Sequence, residues 1–324
     1  MRAILQSGFG SPDVLGLGEV EKPAPGEDEV LIRVRATTVT AGDCEFRRLD
    51  LPLYLRLPLR LYTGLRNRNG TIPGQELAGE VEAVGDGVTR FEPGDRVVAA
   101  TLFRFGAYAE YACLPEHYPI ALIPAGVTFE GAATLPVGGI NGLHFLGMGE
   151  VGAGDEVLIN GAGGSIGTYA VQIAKSIGAE VTAVDDSGKL ETLRSIGADD
   201  VVDYTKEDYT RRGETYDAIV DVVGTSASSS GLDCLSETGR YVLGNPNVYG
   251  RIRGSWTSLT TDRTVAFELA SPREEELRLL AGLVESGDVR PVIDRRYPLE
   301  EVADAHQYVE SGRKTGSVVV TVGR

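Results

Sequence analysis

A glycine-rich segment in the middle of the chain has residue types and spacing suited to holding a dinucleotide. It runs from Asn160 to Gly167, reads N-G-A-G-G-S-I-G, and lies between an apolar stretch and a stretch of helical periodicity. Gly161 permits a tight turn, and Gly163 and Gly164 leave room for a pyrophosphate near the backbone. Gly167 permits close packing of helix on strand. The segment predicts a phosphate-binding loop.

The helix that follows completes this predicted site. Backbone N–H groups and the helix dipole favour negative charge at a helix N-terminus. The backbone of Ser165 and Ile166 is therefore expected to face the pyrophosphate. Because the spacing is G-x-x-G-x-x-G rather than the strict G-x-G-x-x-G, a purely structural turn is the alternative interpretation.

The choice between NAD(H) and NADP(H) depends on residues after the second predicted strand. Asp185 lies 24 positions after Gly161, near the spacing of about 20 for an acidic residue that binds the ribose hydroxyls of NAD. Its charge would repel a 2′-phosphate, whereas Lys189 and Tyr204 could hold one. Asp185 and Asp186 could also form a solvated helix N-cap pair. We predict NAD(H) or NADP(H), with a slight preference for NAD(H).

Alternating strand and helix patterns surround the glycine loop. The strands are predicted at Glu156–Asn160, Glu180–Asp185, Asp200–Asp203, Asp217–Val223 and Arg240–Gly244, and the helices at Ser165–Ile177 and Lys189–Ile196. Such alternation indicates βαβ units and a parallel sheet.

The remainder of the chain has a different character. Short strands with turn signals are predicted in the first 125 residues, at Glu29–Ala36, Leu77–Val84 and Asp95–Thr101. The end of the chain has predicted helices at Pro272–Ser286 and Pro298–Ser311 and a strand at Gly316–Val322. This tail is too small to fold alone. We therefore predict one domain from 1–125 with 269–324, and a second from 126–268.

Charge and composition exclude several classes of function. The chain has 31 Lys and Arg against 47 Asp and Glu, a net charge of −16, which repels nucleic acid and anionic membranes. Only five of the cations are lysine. Scarce lysine with excess carboxylate suggests adaptation to concentrated salt, and the alternative is an ordinary acidic protein from a GC-rich genome.

Cysteine usage and hydropathy indicate a cytoplasmic protein. Cys44, Cys113 and Cys234 are far apart and form no C-x-x-C pair, so neither a disulfide framework nor a cysteine zinc site is expected. The N-terminus has no apolar signal-peptide core, and the longest apolar stretch, Ala132–Met148, is too short and interrupted to span a bilayer.

Several motifs in order resemble the medium-chain dehydrogenases/reductases, and within them the zinc-independent quinone oxidoreductases of the zeta-crystallin-like branch. The matching segments are Pro73–Val81, Gly94–Val97, Ala132–Gly139, Gly161–Gly167, Gly197–Tyr204 and Gly312–Gly316. The resemblance implies an α/β protein with a GroES-like β-rich head and a Rossmann domain with a doubly wound parallel sheet. It also implies cofactor contacts from Asn141, Val223, Leu243, Gly244, Asn245 and Lys314.

The resemblance also implies that the protein contains no zinc. Zinc-dependent members have a cysteine where this chain has Thr40 and a histidine where it has Gln75. Threonine and glutamine do not normally ligate zinc. Cys44 is out of register with the ligand position, and we predict no metal site.

Without a metal, the branch transfers hydride from a reduced nicotinamide to quinones or to α,β-unsaturated carbonyls. The protein would orient the acceptor and donate a hydrogen bond to the developing oxyanion. The predicted catalytic residues are Thr40, Asp43, Tyr54 and Gln75. Tyr62, Asn141 or water could instead supply the proton. In the family, the stretch Leu49–Gly70 borders the substrate site, and we interpret it as an apolar lid, the alternatives being a packed surface segment or a membrane-associating patch.

Two other functions remain open at this point. One is a different reaction of the same superfamily, either enoyl-thioester reduction or alcohol oxidation. The other is a cofactor-binding protein without turnover. A homodimer with no nucleic-acid partner and no integral membrane segment is expected, the dimer on the resemblance alone.

Overall fold

The computed structural model describes residues 1–50, 71–224, 229–244, 263–268 and 270–323. The strands of this described part are β1 (Arg2–Gln6), β2 (Leu15–Glu19), β3 (Glu29–Val39), β4 (Glu76–Val84), β5 (Arg96–Ala100), β6 (Tyr111–Pro115), β7 (Ile120–Leu122), β8 (Glu156–Asn160), β9 (Glu180–Asp185), β10 (Asp200–Asp203), β11 (Tyr216–Asp221), β12 (Leu235–Leu243), β13 (Thr264–Ala266), β14 (Ile293–Pro298) and β15 (Ser317–Thr321).

The helices of the same residues are α1 (Ala41–Arg48), α2 (Phe129–Ala132), α3 (Ile140–Met148), α4 (Ser165–Ile177), α5 (Leu190–Ser195), α6 (Ser229–Asp233), α7 (Glu274–Ser286) and α8 (Val302–Glu310). A π-helical turn at Leu135–Gly139 precedes α3.

The chain divides into two units. The first comprises Met1–Val137, Pro272–Glu285 and Ile293–Arg324, and the second comprises Gly138–Ser271 and Ser286–Val292. Residues 126–137 belong to the first unit because α2 packs on β3 and β4. The loop that contains Arg290 belongs to the second, where Arg290 bonds to Gln172 and Ser195. These bounds differ from the predicted domain limits at 125/126 and 268/269.

The first unit is built on a seven-stranded sheet of order β14-β15-β3-β4-β5-β7, with β6 also paired to β3. All its pairs are antiparallel except β14 with β15. The central strand β3 is buried at most positions, because branched and small side chains fill both of its faces. The sheet thereby holds α1, which begins directly after β3, against α8.

The second unit has a six-stranded sheet of order β10-β9-β8-β11-β12-β13, in which every pair is parallel. The strand order reverses between β8 and β11, as in doubly wound folds that bind ligands beyond the carboxyl ends of these strands. The predicted parallel α/β sheet is confirmed. Among the described residues, no helix is long and apolar enough to cross a membrane.

Candidate active site

Three of the four predicted catalytic residues lie together at the N-terminus of α1. Thr40 is the N-cap, and its hydroxyl accepts the Asp43 N–H at 3.1 Å and donates to Asp43 Oδ2 at 2.6 Å. The Thr40 N–H donates to the same oxygen at 2.9 Å, and Gln75 Nε2 donates to Asp43 Oδ1 at 3.2 Å. The capping box therefore aims the Asp43 carboxyl at Gln75. Tyr54 lies outside the described residues.

The Asp43 carboxyl is a buried acceptor surrounded by donors. Burial raises its pKa, while hydrogen bonds from Thr40, Gln75 and Tyr108 oppose the rise. The Thr40 hydroxyl and one N–H of Gln75 are thus directed at Asp43. The second N–H of the Gln75 amide is a further donor that this cluster holds in a defined orientation.

A second buried carboxyl, Glu76, follows Gln75 directly and was not predicted from the sequence. It is 2% exposed. The Thr38 hydroxyl and the Val137 N–H, the latter at 2.7 Å, both donate to it. Burial raises the pKa of Glu76 to about 8. In the sequence, Glu76 is a carboxylate at the start of a strand that also contains Glu80 and Glu82, so it reads equally well as a solvated strand end.

The side chains of α1 that contact α8 stabilise the packing of the two helices. Cys44 Sγ lies 3.4 Å from His306 Nδ1, and Arg47 bonds both His306 and Glu310. Burial and then the nearby Arg47 charge lower the pKa of His306 to about 3, while burial raises that of Cys44 to about 12. In the described residues, no group of three or more His, Cys, Asp or Glu could hold a metal ion.

In the second unit, the glycine loop has the geometry of an anion cradle. It follows β8, and Gly161 has φ +81°, a conformation that favours glycine. A Cβ on Gly167 would lie 2.3 Å from the Gly161 carbonyl oxygen, so the helix packs on the loop with no space for a side chain. The helix α4 begins at Ser165 with Gly164 as N-cap and no side-chain cap. Its first backbone N–H groups, including that of Ile166, fit a pyrophosphate.

Asp185, Asp186 and Lys189 form a group of ion pairs that we call the clasp. It lies where the choice between NAD(H) and NADP(H) is expected to be made. Asp185 Oδ2 accepts the Gly163 N–H at 2.7 Å, and Oδ1 accepts Lys189 Nζ at 2.8 Å. Lys189 also lies 3.0 Å from Asp186 Oδ2. The stem of Lys189 occupies the space beside Gly163, where a Cβ would lie 2.5 Å from Lys189 Cδ. Gly163 thus makes room for the Lys189 side chain, and its role of leaving space for a pyrophosphate stays a prediction. Tyr204 is 60% exposed, and its N–H donates to the Asp185 carbonyl.

Asp221 is a further buried carboxylate that the sequence analysis did not single out. It ends β11, is 2% exposed, and accepts hydrogen bonds from Asn160 Nδ2 and the Gly224 N–H, each at 3.0 Å. Its backbone carbonyl accepts the Gly244 N–H at 2.9 Å. In the sequence, the feature that could have identified Asp221 is its position as the last residue of an apolar strand.

The remaining predicted cofactor residues are dispersed. Val223 is 50% exposed after β11, Leu243 is buried at the end of β12, and Asn141 is partly buried in α3. Lys314 belongs to the first unit, where its ammonium donates to the Gly316 carbonyl at 2.7 Å. Asn245 lies outside the described residues.

Comparison with known proteins shows the family of the chain. Family models for an alcohol dehydrogenase GroES-like domain and a zinc-binding dehydrogenase match residues 26–125 and 196–320. A chloroplastic quinone-oxidoreductase homolog of Spinacia oleracea is 32% identical, over 99% of this chain and 98% of its own length. An NADPH-dependent alkenal/one oxidoreductase of Arabidopsis thaliana is 32% identical over 99% of this chain and 79% of its own length.

A solved quinone oxidoreductase from Coxiella burnetii has a TM-score of 0.88 and 29% identity, over 100% of this chain and 99% of its own. The chain belongs to the quinone oxidoreductase branch of the medium-chain dehydrogenase/reductase family. The predicted GroES-like and Rossmann domains are thereby confirmed.

Proposed function

We propose that this protein transfers a hydride from NAD(P)H to a quinone or an α,β-unsaturated carbonyl compound. The observation that carries the proposal is similarity over the full chain to quinone and alkenal/one oxidoreductases, in a chain whose glycine loop fits a dinucleotide. When bound, the reduced nicotinamide supplies the hydride. The N-terminus of α4 holds the pyrophosphate.

The cluster of Thr40, Asp43 and Gln75 binds the acceptor in this proposal. Asp43 accepts one N–H of Gln75 at 3.2 Å, which orients the amide and leaves its second N–H to donate to the acceptor oxygen as negative charge develops there. Thr40 holds Asp43 in place through the capping box. Because the Thr40 hydroxyl donates its proton to Asp43, the proton of the product comes from water.

Zinc has no part in this proposal. Thr40 and Gln75, which stand at ligand positions of zinc-dependent relatives, have side chains of the wrong chemistry for zinc, and both are committed to hydrogen bonds with Asp43.

A panel of acceptors tests the proposal. In concentrated KCl we expect oxidation of NADH or NADPH with 1,4-benzoquinone or an alkenal, no reduction of NAD⁺ by primary alcohols, and no loss of rate in EDTA. Gln75→Ala should lower kcat/KM about 100- to 1,000-fold, because one oxyanion-hole donor is worth about 2.7–4 kcal/mol. Alcohol oxidation or enoyl-thioester reduction alone would favour the other reactions of the superfamily, and dinucleotide binding without turnover would favour a non-catalytic protein.

The clasp supports a preference for NADH. Burial alone would lower the pKa of the Lys189 ammonium, but its bonds to Asp185 and Asp186 raise it, so the lysine stays charged and committed to two carboxylates. The three side chains together carry one net negative charge, which disfavours a 2′-phosphate.

Asp186→Ser should raise the affinity for NADPH about fivefold, because it removes one partially exposed negative charge. The affinity for NADH should not change. Serine keeps an acceptor for the Gly188 N–H that Asp186 now holds. Asp208→Ser, at the N-cap of the 3-10 turn Tyr209–Arg211 in the same unit, is the control. Fluorescence titrations of both dinucleotides at low and high KCl give the result, and tighter NADPH binding by the unaltered protein would contradict the preference.

We further propose a cytoplasmic homodimer. The three cysteines are free thiols, which fits a reducing compartment. The dimer follows from the family resemblance, and light scattering at high KCl tests it.

A further inference from the structure

Asp221 occupies the position in the second unit where the order of strands reverses. It is the last residue of β11 and pairs with Asn160, the last residue of β8. In a doubly wound sheet, a ligand lies beyond the carboxyl ends of these two strands. Asp221 therefore lies at the base of the proposed dinucleotide site.

The Asp221 carboxylate joins segments that are far apart in sequence. Oδ1 accepts both Asn160 Nδ2, next to the glycine loop, and the Gly224 N–H, in the turn after β11. Oδ2 accepts the hydroxyl of Tyr241 at 3.1 Å, on the side of β12. All three donors bond to a side chain that is 2% exposed.

Backbone contacts draw the same segments together. The Val222 N–H donates to the Asn160 carbonyl at 3.0 Å, and the Gly244 N–H to the Asp221 carbonyl at 2.9 Å. A Cβ on Gly161 would lie 2.7 Å from Val223 Cγ2, so the glycine loop and the turn after β11 are in close contact. One residue thus connects three segments that carry predicted cofactor contacts.

A buried carboxylate at such a place is costly unless its oxygens are used. Burial raises the pKa of Asp221, and the bonds from Gly224, Tyr241 and Asn160 oppose the rise. A well-packed apolar residue would serve stability as well or better. An apolar residue could not, however, accept hydrogen bonds from both the glycine-loop side and the turn after β11, as Asp221 does from Asn160 and Gly224.

We infer that Asp221 is a positioning residue of the dinucleotide site, which fixes the glycine loop and the turn after β11 relative to each other through Asn160 and Gly224. The inference rests on the proposed function. It predicts that Asp221 and Asn160 act as one unit on cofactor affinity, although neither need touch the cofactor.

A double-mutant cycle on dinucleotide affinity tests this. Asn160→Ala and Asp221→Ala should each raise the Kd for NADH about 10- to 100-fold, the size expected for a hydrogen bond to a charged group. The double variant should bind no more weakly than the weaker-binding single variant, because both changes break the same connection. Independent, multiplicative effects would overturn the inference.

Two further variants separate positioning from stability. Asp221→Asn keeps an oxygen for Asn160 and Gly224, so its Kd should stay within about threefold of the unaltered protein. Tyr241→Phe removes the bond on the other side of the same carboxylate, and should lower the melting temperature while leaving the Kd unchanged.

The outcomes distinguish this inference from the proposed function. If the unaltered, folded protein binds neither NADH nor NADPH, the proposed function fails. If it binds NADH and Asn160→Ala binds equally well, the positioning role of Asp221 is overturned, whether or not Asp221→Ala folds. An equal loss of affinity in Tyr241→Phe would also overturn it.

Discussion

Gly167→Ala is expected to abolish measurable dinucleotide binding. A Cβ at this position would lie 2.3 Å from the Gly161 carbonyl oxygen and 2.5 Å from Ala162 Cα. Both are backbone atoms of the glycine loop, so neither can rotate away as a side-chain end could. The loop must move off α4 or the helix off the sheet, and either movement separates the N-terminal N–H groups from the phosphate position.

The size of the effect follows from the packing. Overpacking of this kind costs about 1–3 kcal/mol of stability, and displacement of a phosphate cradle should add a loss of affinity of at least about 100-fold. Titration with NADH and the thermal shift it produces give both quantities. Gly147→Ala, in α3, is the matched control, because nothing lies within 4 Å of its Cβ position.

Gly164→Ala distinguishes an effect on cofactor binding from an effect on the stability of the fold. The nearest atom to its Cβ position is 3.5 Å away, and its φ of −80° suits any residue. This variant should unfold like the unaltered protein. Weaker NADH binding by Gly164→Ala would place the cofactor against the N-cap of α4. Full NADH affinity in Gly167→Ala would show that the glycine loop does not bind the phosphates.

The glycine loop was predictable because its constraints are local. A turn, a close approach of helix to strand and a helix N-terminus are all encoded within the eight residues Asn160–Gly167. Most of the parallel sheet was predictable for a similar reason, since strands such as β8 and β11 contain a short apolar run, whereas the three-residue strand β13 was not predicted. Helix α1 was not predicted, because it is only eight residues long and its signal is a single capping box between Thr40 and Asp43.

The hydrogen-bond partners of the buried charged residues could not be predicted from the sequence. The binding of a ribose by Asp185 stays a prediction, but the hydrogen bonds that its oxygens accept from Gly163 and Lys189 were not predicted. Glu76 and Asp221 look like solvated strand ends in the sequence. Their burial depends on contacts with residues about 40 to 60 positions away, such as Thr38 and Asn160.

Glu76 should make the protein less stable as the pH rises. Its folded-state pKa of about 8 lies above the ordinary value for a glutamate, so the folded protein holds a proton that the unfolded chain releases. Stability is then complete below about pH 4.5 and falls between about pH 4.5 and 8, at up to about 1.4 kcal/mol per pH unit. The full change due to this group is about 5 kcal/mol.

Glu76→Gln should remove this dependence. The amide keeps an oxygen for the Val137 N–H, and its N–H can donate to the Thr38 hydroxyl oxygen, which accepts hydrogen bonds as well as donating them. We expect the variant to be more stable than the unaltered protein at pH 9 and about equally stable at pH 5. Chemical denaturation at fixed, high KCl across this range measures the difference.

Glu80→Gln is the control for this experiment, since Glu80 lies on the same strand but forms a partly exposed ion pair with Arg35. Its profile should parallel that of the unaltered protein. If Glu76→Gln retains the full slope between pH 5 and 8, the carboxyl is ionised throughout that range. Its hydrogen bonds from Thr38 and Val137 would then outweigh the cost of burial, and β4 would carry a permanent negative charge beside Gln75.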